Sequence, residues 1–412
     1  MGDVLFIQFY NEIKGSYFDL CNGLSDTYDL CKSKGDFYWA EHEADLTKWY
    51  LEETYAGRHL PINSGTAYIS ALYVNHLYQA YVWANEYPNI RFIVGGPIAA
   101  ESRVDAKAWN PIYLEIDGHN MLPSNLKITG KSVEDWFGVP NFSGKWKLDV
   151  PEHIPNDSPI YFSYTLDNRC YWSKCTYCNI ALLADDLSRK RKDIRFEFSD
   201  LEHKGTKIVR LNTASITPNF IRELLPGLPC GDDLEYRVFM RPAKAENEAL
   251  EEVLSDWSGE FPNLMLGIGM EFPSSRMLKY VCKGFDKKEM LESLRLCVDH
   301  GIRVNANFIL GWNNLIEDDI RELEDFMDCI PENSVSNLQL RWLLAHPNTK
   351  IHDTYEGEPI RLGPFYLGFR TKISEKQMAL NKQAFDIINR HRRIKHFKVE
   401  GLTNIERNQR EN

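Results

Sequence analysis

Three cysteines, Cys170, Cys175 and Cys178, fall within nine residues, in the run Asn168-Arg169-Cys170-Tyr171-Trp172-Ser173-Lys174-Cys175-Thr176-Tyr177-Cys178. The whole chain has only nine cysteines in 412 residues, so this density stands far above the background. Thiolates at C-x4-C-x2-C spacing converge on one soft metal centre. Four readings compete. Structural zinc wants four protein ligands, and His203 and Cys230, the nearest downstream, sit in no matching knuckle. A plant-type [2Fe–2S] site opens with the same spacing and also needs a fourth cysteine. Three metal-free structural cysteines are the third reading. The favoured one is a [4Fe–4S] cluster on three cysteines, whose fourth iron stays open for a substrate or cofactor.

The elements that must hold this run lie around and after it. Strand-like stretches occur at 160–166, 207–212, 236–240, 264–271, 304–310 and 338–344. Between them, Thr217-Pro218 reads as an N-cap followed by proline at the first helical position. Met290, Leu291, Leu294, Cys297 and Val298 recur at helical spacing, as do Ile316, Ile320, Leu323 and Phe326. Strands separated by helices need long crossovers and hence a parallel sheet. A closed eight-unit barrel takes about 250 residues. Six units between residues 159 and 345 predict a partial (β/α)6 barrel instead. The cysteine run directly follows the first strand, at the C-terminal rim where barrel chemistry is built. Asn212, Arg241 and Glu271 fall at later strand ends on that rim, as functional groups or as members of structural ion pairs. Gln339 and Arg341 alternate with Leu338, Leu340 and Trp342. Period two puts them on one face, read as a barrel interior that meets substrate.

At these residues the chain resembles the radical S-adenosylmethionine (SAM) enzymes, in which three cysteines follow the first strand of a partial (β/α)6 barrel. The usual spacing there is C-x3-C-x2-C, so the extra residue between Cys170 and Cys175 departs from it; the aromatic residue before the last cysteine is matched by Tyr177. The resemblance implies that the open iron chelates the methionine end of SAM, and that one electron cleaves SAM to a 5′-deoxyadenosyl radical. It covers residues 159–345. The run 266–271 resembles the family's fourth strand, which implies that Glu271 meets the SAM ribose. The run 278–285 resembles the short helix that follows. The run 301–312 resembles the fifth strand, whose backbone contacts adenine, and places Asn307 and Gly311 with Tyr177 in the cofactor site. The guanidinium of Arg241 suits bidentate pairing with SAM's carboxylate. The family's Gly-Gly-Glu after strand two is missing; Asn212-Thr213-Ala214-Ser215 stands there.

Residues 1–140 are less regular. Pro140, Pro151, Pro155, Pro159 and Gly144 mark 141–158 as a linker. A strand at 4–9, a long amphipathic segment ending at Tyr87 and a strand Ile90–Val94 running into Gly95-Gly96-Pro97 are expected. With residues 128–137 these resemble the end of a cobalamin-binding domain found before many radical SAM enzymes. Asp117-Gly118-His119 supplies Asp-x-His, but Leu122 replaces the family's glycine and the triplet follows Gly95-Gly96 instead of preceding it. The expectation is a degenerate Rossmann-like α/β domain, a vestigial or substrate-docking scaffold more than a cobalamin site. Residues 346–412 read as a C-terminal extension with a helix at 373–393 and a basic end, Arg390-His391-Arg392-Arg393.

Lys plus Arg number 48 against 59 Asp plus Glu, a formal charge of −11, which argues against a dedicated nucleic-acid binder. No apolar run reaches the ~18 residues of a membrane span. The start has no basic n-region, and the expectation is a cytoplasmic protein with reduced thiols. A substrate radical can be quenched by a protein thiol. Cys297 lies on an apolar helix face and reads as a small hydrophobe. Cys282, in the connection after the fourth barrel strand, is the thiol that topology leaves at the mouth. The specific expectation is therefore α-carbon epimerisation of a peptide, as in the ribosomal-peptide (proteusin-type) epimerases, with Cys282 returning hydrogen. Cobalamin-dependent radical C-methylation is the alternative, and a non-catalytic cluster scaffold a further one. The partners implied are a peptide with a leader and an electron donor such as flavodoxin or ferredoxin.

Overall fold

A computed structural model describes residues 3–13, 17–21, 31, 34–42, 60–71, 74–95, 122–129, 160–167, 170–178, 206–228, 230, 234–257, 262–347, 349–390 and 396–400. The linker expected at 141–158, the triplet Asp117–His119 and the basic end after Arg390 lie outside them. The chain divides into two compact units: residues 1–168, 182–210 and 360–367, and residues 169–181, 211–359 and 368–412.

The first unit contains β1 (Val4–Ile13), β2 (Tyr17–Cys21), β3 (Asp36–His42), β4 (Gly65–Ser70), α1 (Val74–Glu86), β5 (Ile90–Gly95), β6 (Leu126–Ile128) and β7 (Ile160–Asp167). β1 pairs in parallel with β3 and β4, β4 with β5, and β5 with β6. β2 runs antiparallel to β1 and parallel to β7. Residues 5–9 of β1 are at most 1% exposed, the pattern of a parallel strand covered on both faces. Trp83 of α1 stacks on Phe9 at 5.7 Å. The amphipathic segment expected up to Tyr87 is helical only from Val74, and the strand β4 precedes it.

The second unit follows the expected alternation from its second strand onward; the first expected barrel strand, β7, is counted with the first unit. It contains β8 (Thr206–Ile216), whose first residues belong to the first unit, α2 (Pro218–Leu224), β9 (Glu235–Met240), α3 (Lys244–Ser255), β10 (Asn263–Glu271), α4 (Ser275–Tyr280), α5 (Lys287–Asp299), β11 (Arg303–Leu310), α6 (Glu317–Cys329) and β12 (Asn337–Trp342). There follow β13 (Leu344–Ala345), α7 (Lys350–Thr354), β14 (Gly357–Leu362), β15 (Phe365–Thr371), α8 (Glu375–Arg390) and β16 (His396–Glu400), residues 360–367 of β14 and β15 being counted with the first unit. Strands β8 to β12 are neighbours in chain order, a parallel half-barrel sheet, and β16 adds a parallel edge strand beyond β12 that the sequence did not announce. Helix starts obey local chemistry. Thr217 accepts from the Phe220 amide at 3.1 Å, and Asp286 with Glu289 forms a capping box on α5.

Each strand has an apolar face under the helices. In β11, Val304, Ala306, Phe308 and Leu310 are at most 1% exposed, while Arg303, Asn305, Asn307 and Ile309 are partly exposed. Leu338 and Leu340 are buried in the same way, so Gln339 and Arg341 do share the other face of β12. Register aligns that polar face into rows. Phe239, Gly267, Asn305 and Asn337 form one row; Gly269, Asn307 and Gln339 form the next, one step closer to the C-terminal ends.

Candidate functional site

The cysteine loop is clasped by the connection between α4 and α5. The Thr176 amide donates to the Val281 carbonyl at 3.2 Å, and the Trp172 indole Nε1–H donates to the Cys282 carbonyl at 2.7 Å. Arg241, the residue after β9, closes the clasp. Its guanidinium lies 4.1 Å from the Trp172 ring centroid and donates to Tyr171 Oη at 2.9 Å and to the Lys283 carbonyl at 2.9 Å. A longer contact of 3.4 Å reaches buried Glu246. Gly284 is required there: its φ is +71°, and a Cβ would sit 2.0 Å from the Trp172 ring. The guanidinium assigned to SAM's carboxylate is thus largely committed to holding the loop.

A buried ion pair stands beside the thiols. Lys283 Nζ and Tyr177 Oη each donate to Glu271 Oε1 at 2.7 Å. Glu271 ends β10 at a register shift and has φ +55°, a strained left-handed backbone for a glutamate. Gly269 leaves the room its carboxylate occupies, since a Cβ there would meet Glu271 Oε1 at 2.5 Å. Burial opposes the Lys283 charge, but Glu271 and Cys175 outweigh it and hold the ammonium above its ordinary pKa. Desolvation and the adjacent carboxylate keep Tyr177 protonated. Burial pushes the Cys175 thiol up to about 11 against the pull of Lys283, with Cys178 and Cys170 near enough to add to the rise.

Among the described residues no three Cys, His, Asp or Glu side chains converge on a single-ion position. What the loop offers is a three-thiol donor set with a fixed cation alongside, which suits an iron–sulfur cluster. Binding would release the thiol protons. Glu271, expected to meet ribose hydroxyls, has one oxygen engaged by Lys283 and Tyr177. Lys283 and Trp172 were missed by sequence reasoning: a single lysine and a single tryptophan in loops carry no periodic signal.

The other predicted residues are placed as follows. β8 runs four residues past Asn212, so Asn212 is within the strand and not at its end, and its side chain lies outside the description. Asn307 is on the polar face with its Oδ1 buried and without a hydrogen-bond partner. Gly311 has its amide bonded to Asn381 Oδ1 at 2.7 Å and its carbonyl accepting from Thr371 Oγ1 at 2.6 Å, so the backbone contact expected for adenine is already engaged by the fold. Cys282, φ +57°, is exposed and lines a cavity with Trp172, Ser275, Leu278, Lys279 and Glu289, none of them a strand residue. That position puts the expected hydrogen donor among helix and loop residues.

No protein-family model matches the sequence, and no curated protein does. Solved structures do match. The fold is the parallel half-barrel with a preceding α/β unit seen in cobalamin-dependent radical SAM proteins. The chain is similar to the radical SAM methyltransferase TsrM from Kitasatospora setae with cobalamin and a [4Fe–4S] cluster bound. The TM-score is 0.57 at 12% identity, over 97% of this chain and 93% of that one. The same protein with tryptophan substrate and a SAM analogue gives 0.56 at 12% identity, over 94% and 89%. The cobalamin-dependent SAM radical enzyme OxsB with aqua-cobalamin and SAM gives 0.51 at 14% identity, over 94% of this chain and 55% of that one.

Proposed function

We propose that this chain is a radical SAM enzyme whose reaction is cobalamin-dependent methyl transfer. The observation that carries the reading is the clasped loop of Cys170, Cys175 and Cys178 beside the Glu271–Lys283–Tyr177 group, in a half-barrel of this fold. Cys170, Cys175 and Cys178 would hold the cluster, which supplies the electron that generates a carbon-centred radical from SAM. Arg241 and Trp172 keep the loop in register with the strand ends. Lys283 places a fixed positive charge beside the thiolates and offsets their mutual repulsion. Tyr177 donates to Glu271 Oε1 and fixes the carboxylate, which would orient a ribose hydroxyl. The cobalamin reading rests on likeness of fold, since Gly96 and the triplet Asp117–His119 lie outside the described residues.

The expectation of peptide epimerisation through Cys282 is set aside in favour of methylation, because Cys282 lines a helix-side cavity and the similar structures are described as cobalamin-dependent or as methyltransferases. The test is anaerobic purification and reconstitution with iron, sulfide and cobalamin, followed by incubation with SAM and a reductant. Iron–sulfur and corrinoid absorbance in the wild type, with SAM turnover lost in Cys170→Ala, is the expected result. A protein that incorporates no iron, or that turns over SAM as well in Cys170→Ala, overturns the radical SAM reading. Turnover without corrinoid uptake, with deuterium from the solvent entering a substrate and no methyl gain, returns the reaction to epimerisation.

A further inference from the structure

The polar face of the half-barrel holds a group of carboxamides that the reading above does not use. Asn305 and Asn307 stand on β11 two residues apart, which is about 6.6–6.8 Å along a strand. Their register partners on β12 are Asn337 and Gln339. The Oδ1 atoms of Asn305 and Asn307 are both buried and have no hydrogen-bond partner. Asn337 donates only to the Met265 sulfur, at 3.6 Å, and Gln339 Oε1 accepts from Arg341 at 3.1 Å. On the β10 side of these amides the positions in register are Gly267 and Gly269. Gly269 brings the row against Glu271 and Lys283, so the amides lie one and two steps below the cysteine-side group. The aromatic ring of Phe239 covers Gly267, where a Cβ would come within 2.5 Å of it.

A buried acceptor without a donor costs about 1–3 kcal/mol unless a ligand or water satisfies it, and two of them on one face share a preference. Among the registered positions of both rows, Phe239, Gly267, Asn305, Asn337, Gly269, Asn307 and Gln339, none carries a charge. The charged groups that border the rows already have partners, Lys283 with Glu271 and Arg341 with Gln339, so a charged ligand would have to compete for them whereas a neutral one would not. A carboxamide offers both a donor and an acceptor, so the complementary ligand is another uncharged amide. The same-side groups of an extended peptide repeat at the spacing of the asparagines.

We infer that Asn305 and Asn307, with Asn337 and Gln339 opposite, form a subsite for an uncharged amide-bearing substrate. This rests on the proposed function for calling the bound molecule a substrate, and deepens it by naming the substrate's class. The asparagines bind the amide and hold it below the site where the radical is generated. The subsite is not an engine of catalysis, so loss of Asn305 should weaken binding and leave SAM turnover without substrate unchanged.

Isothermal titration of the reconstituted full-length protein tests this, with acetyl-Ala-Ala-Ala-amide, acetylalaninamide and inorganic phosphate as probes. A saturable heat with an amide probe, weakened about tenfold in Asn305→Ala and in Asn307→Ala, is expected, since each loses a hydrogen bond of typical strength. Should an alanine variant melt early, Asn307→Ser carries the same expectation. Tripeptide binding more than tenfold tighter than acetylalaninamide makes the source a peptide; equal binding makes it a small carboxamide. No saturable binding of either amide, equal affinity in the variants, or phosphate binding as tightly as the amides overturns the subsite. SAM cleavage on the same preparations reports the proposed function separately: intact cleavage with absent amide binding sinks the subsite alone.

Discussion

Lys283 and Glu271 form a buried pair, their side chains 11% and 9% exposed, and a buried charge without its partner is costly. Lys283→Met should destabilise the protein by about 3–5 kcal/mol, measured as a shift in the urea midpoint. Lys283→Met with Glu271→Gln should recover part of that loss, because no lone charge remains. Glu246 is the other unusual carboxyl. Burial, with Glu289 adding to it, lifts Glu246 to about 7, because the contact to Arg241 is long and Arg241 is shared among several acceptors. A folded pKa above the ordinary carboxylate value means that the stabilising contribution is complete at low pH and is lost as pH rises toward 7. Glu246→Gln should therefore melt like the wild type at pH 4 and higher than it at pH 8, in paired thermal scans. None of this could be read in advance. The thiol spacing marked Cys170, Cys175 and Cys178, and strand ends marked Arg241 and Glu271, but which atoms those two would face depends on a loop partner, Lys283, with no pattern of its own.

At the level of elements, the turn after β11 is sewn to α8. Asn381 accepts from the Gly311 and Trp312 amides and donates to the Trp312 carbonyl at 2.8 Å; Gln377 exchanges two bonds with Leu315. Asn381→Ala strands three buried backbone groups and should cost about 2–4 kcal/mol, with faster amide exchange confined at first to residues 311–315. Gly284→Ala should loosen the cysteine loop instead, at about 1–3 kcal/mol, seen as faster alkylation of the three thiols in protein without metal. The strands and helices of the second unit were legible because burial imposes period two on β11 and β12 and period 3.6 on α5 and α6. β16 and β4 were not, because one is a short edge strand far from its neighbour in sequence, and the other runs with only three residues between into α1, so its residues merge with the amphipathic segment that ends at Tyr87. The basic end expected after α8 is represented among the described residues by Arg390, which reaches Glu324 on α6 at 3.3 Å.

For the whole molecule, the informative comparison is that similarity of fold spans 97% of the chain while identity is 12%. Such a pair shares backbone demands and little side-chain chemistry. The thiol loop belongs to this chain's own sequence, whereas the likeness carries the fold alone. Purification under anaerobic conditions with added hydroxocobalamin should leave about one corrinoid per chain if the first unit binds it, as counted by absorbance against iron. No helix among the described residues is long and apolar enough to cross a membrane. The clasp also provides an optical gauge. Trp172 lies against the Arg241 guanidinium and its ring nitrogen holds the Cys282 carbonyl, two residues from the nearest thiol of the loop, Cys170. Its fluorescence should be quenched as iron and sulfide fill the thiols and restored as a chelator strips them. The difference between wild type and Trp172→Phe isolates that signal from the other nine tryptophans, so cluster loading can be followed in real time without a substrate.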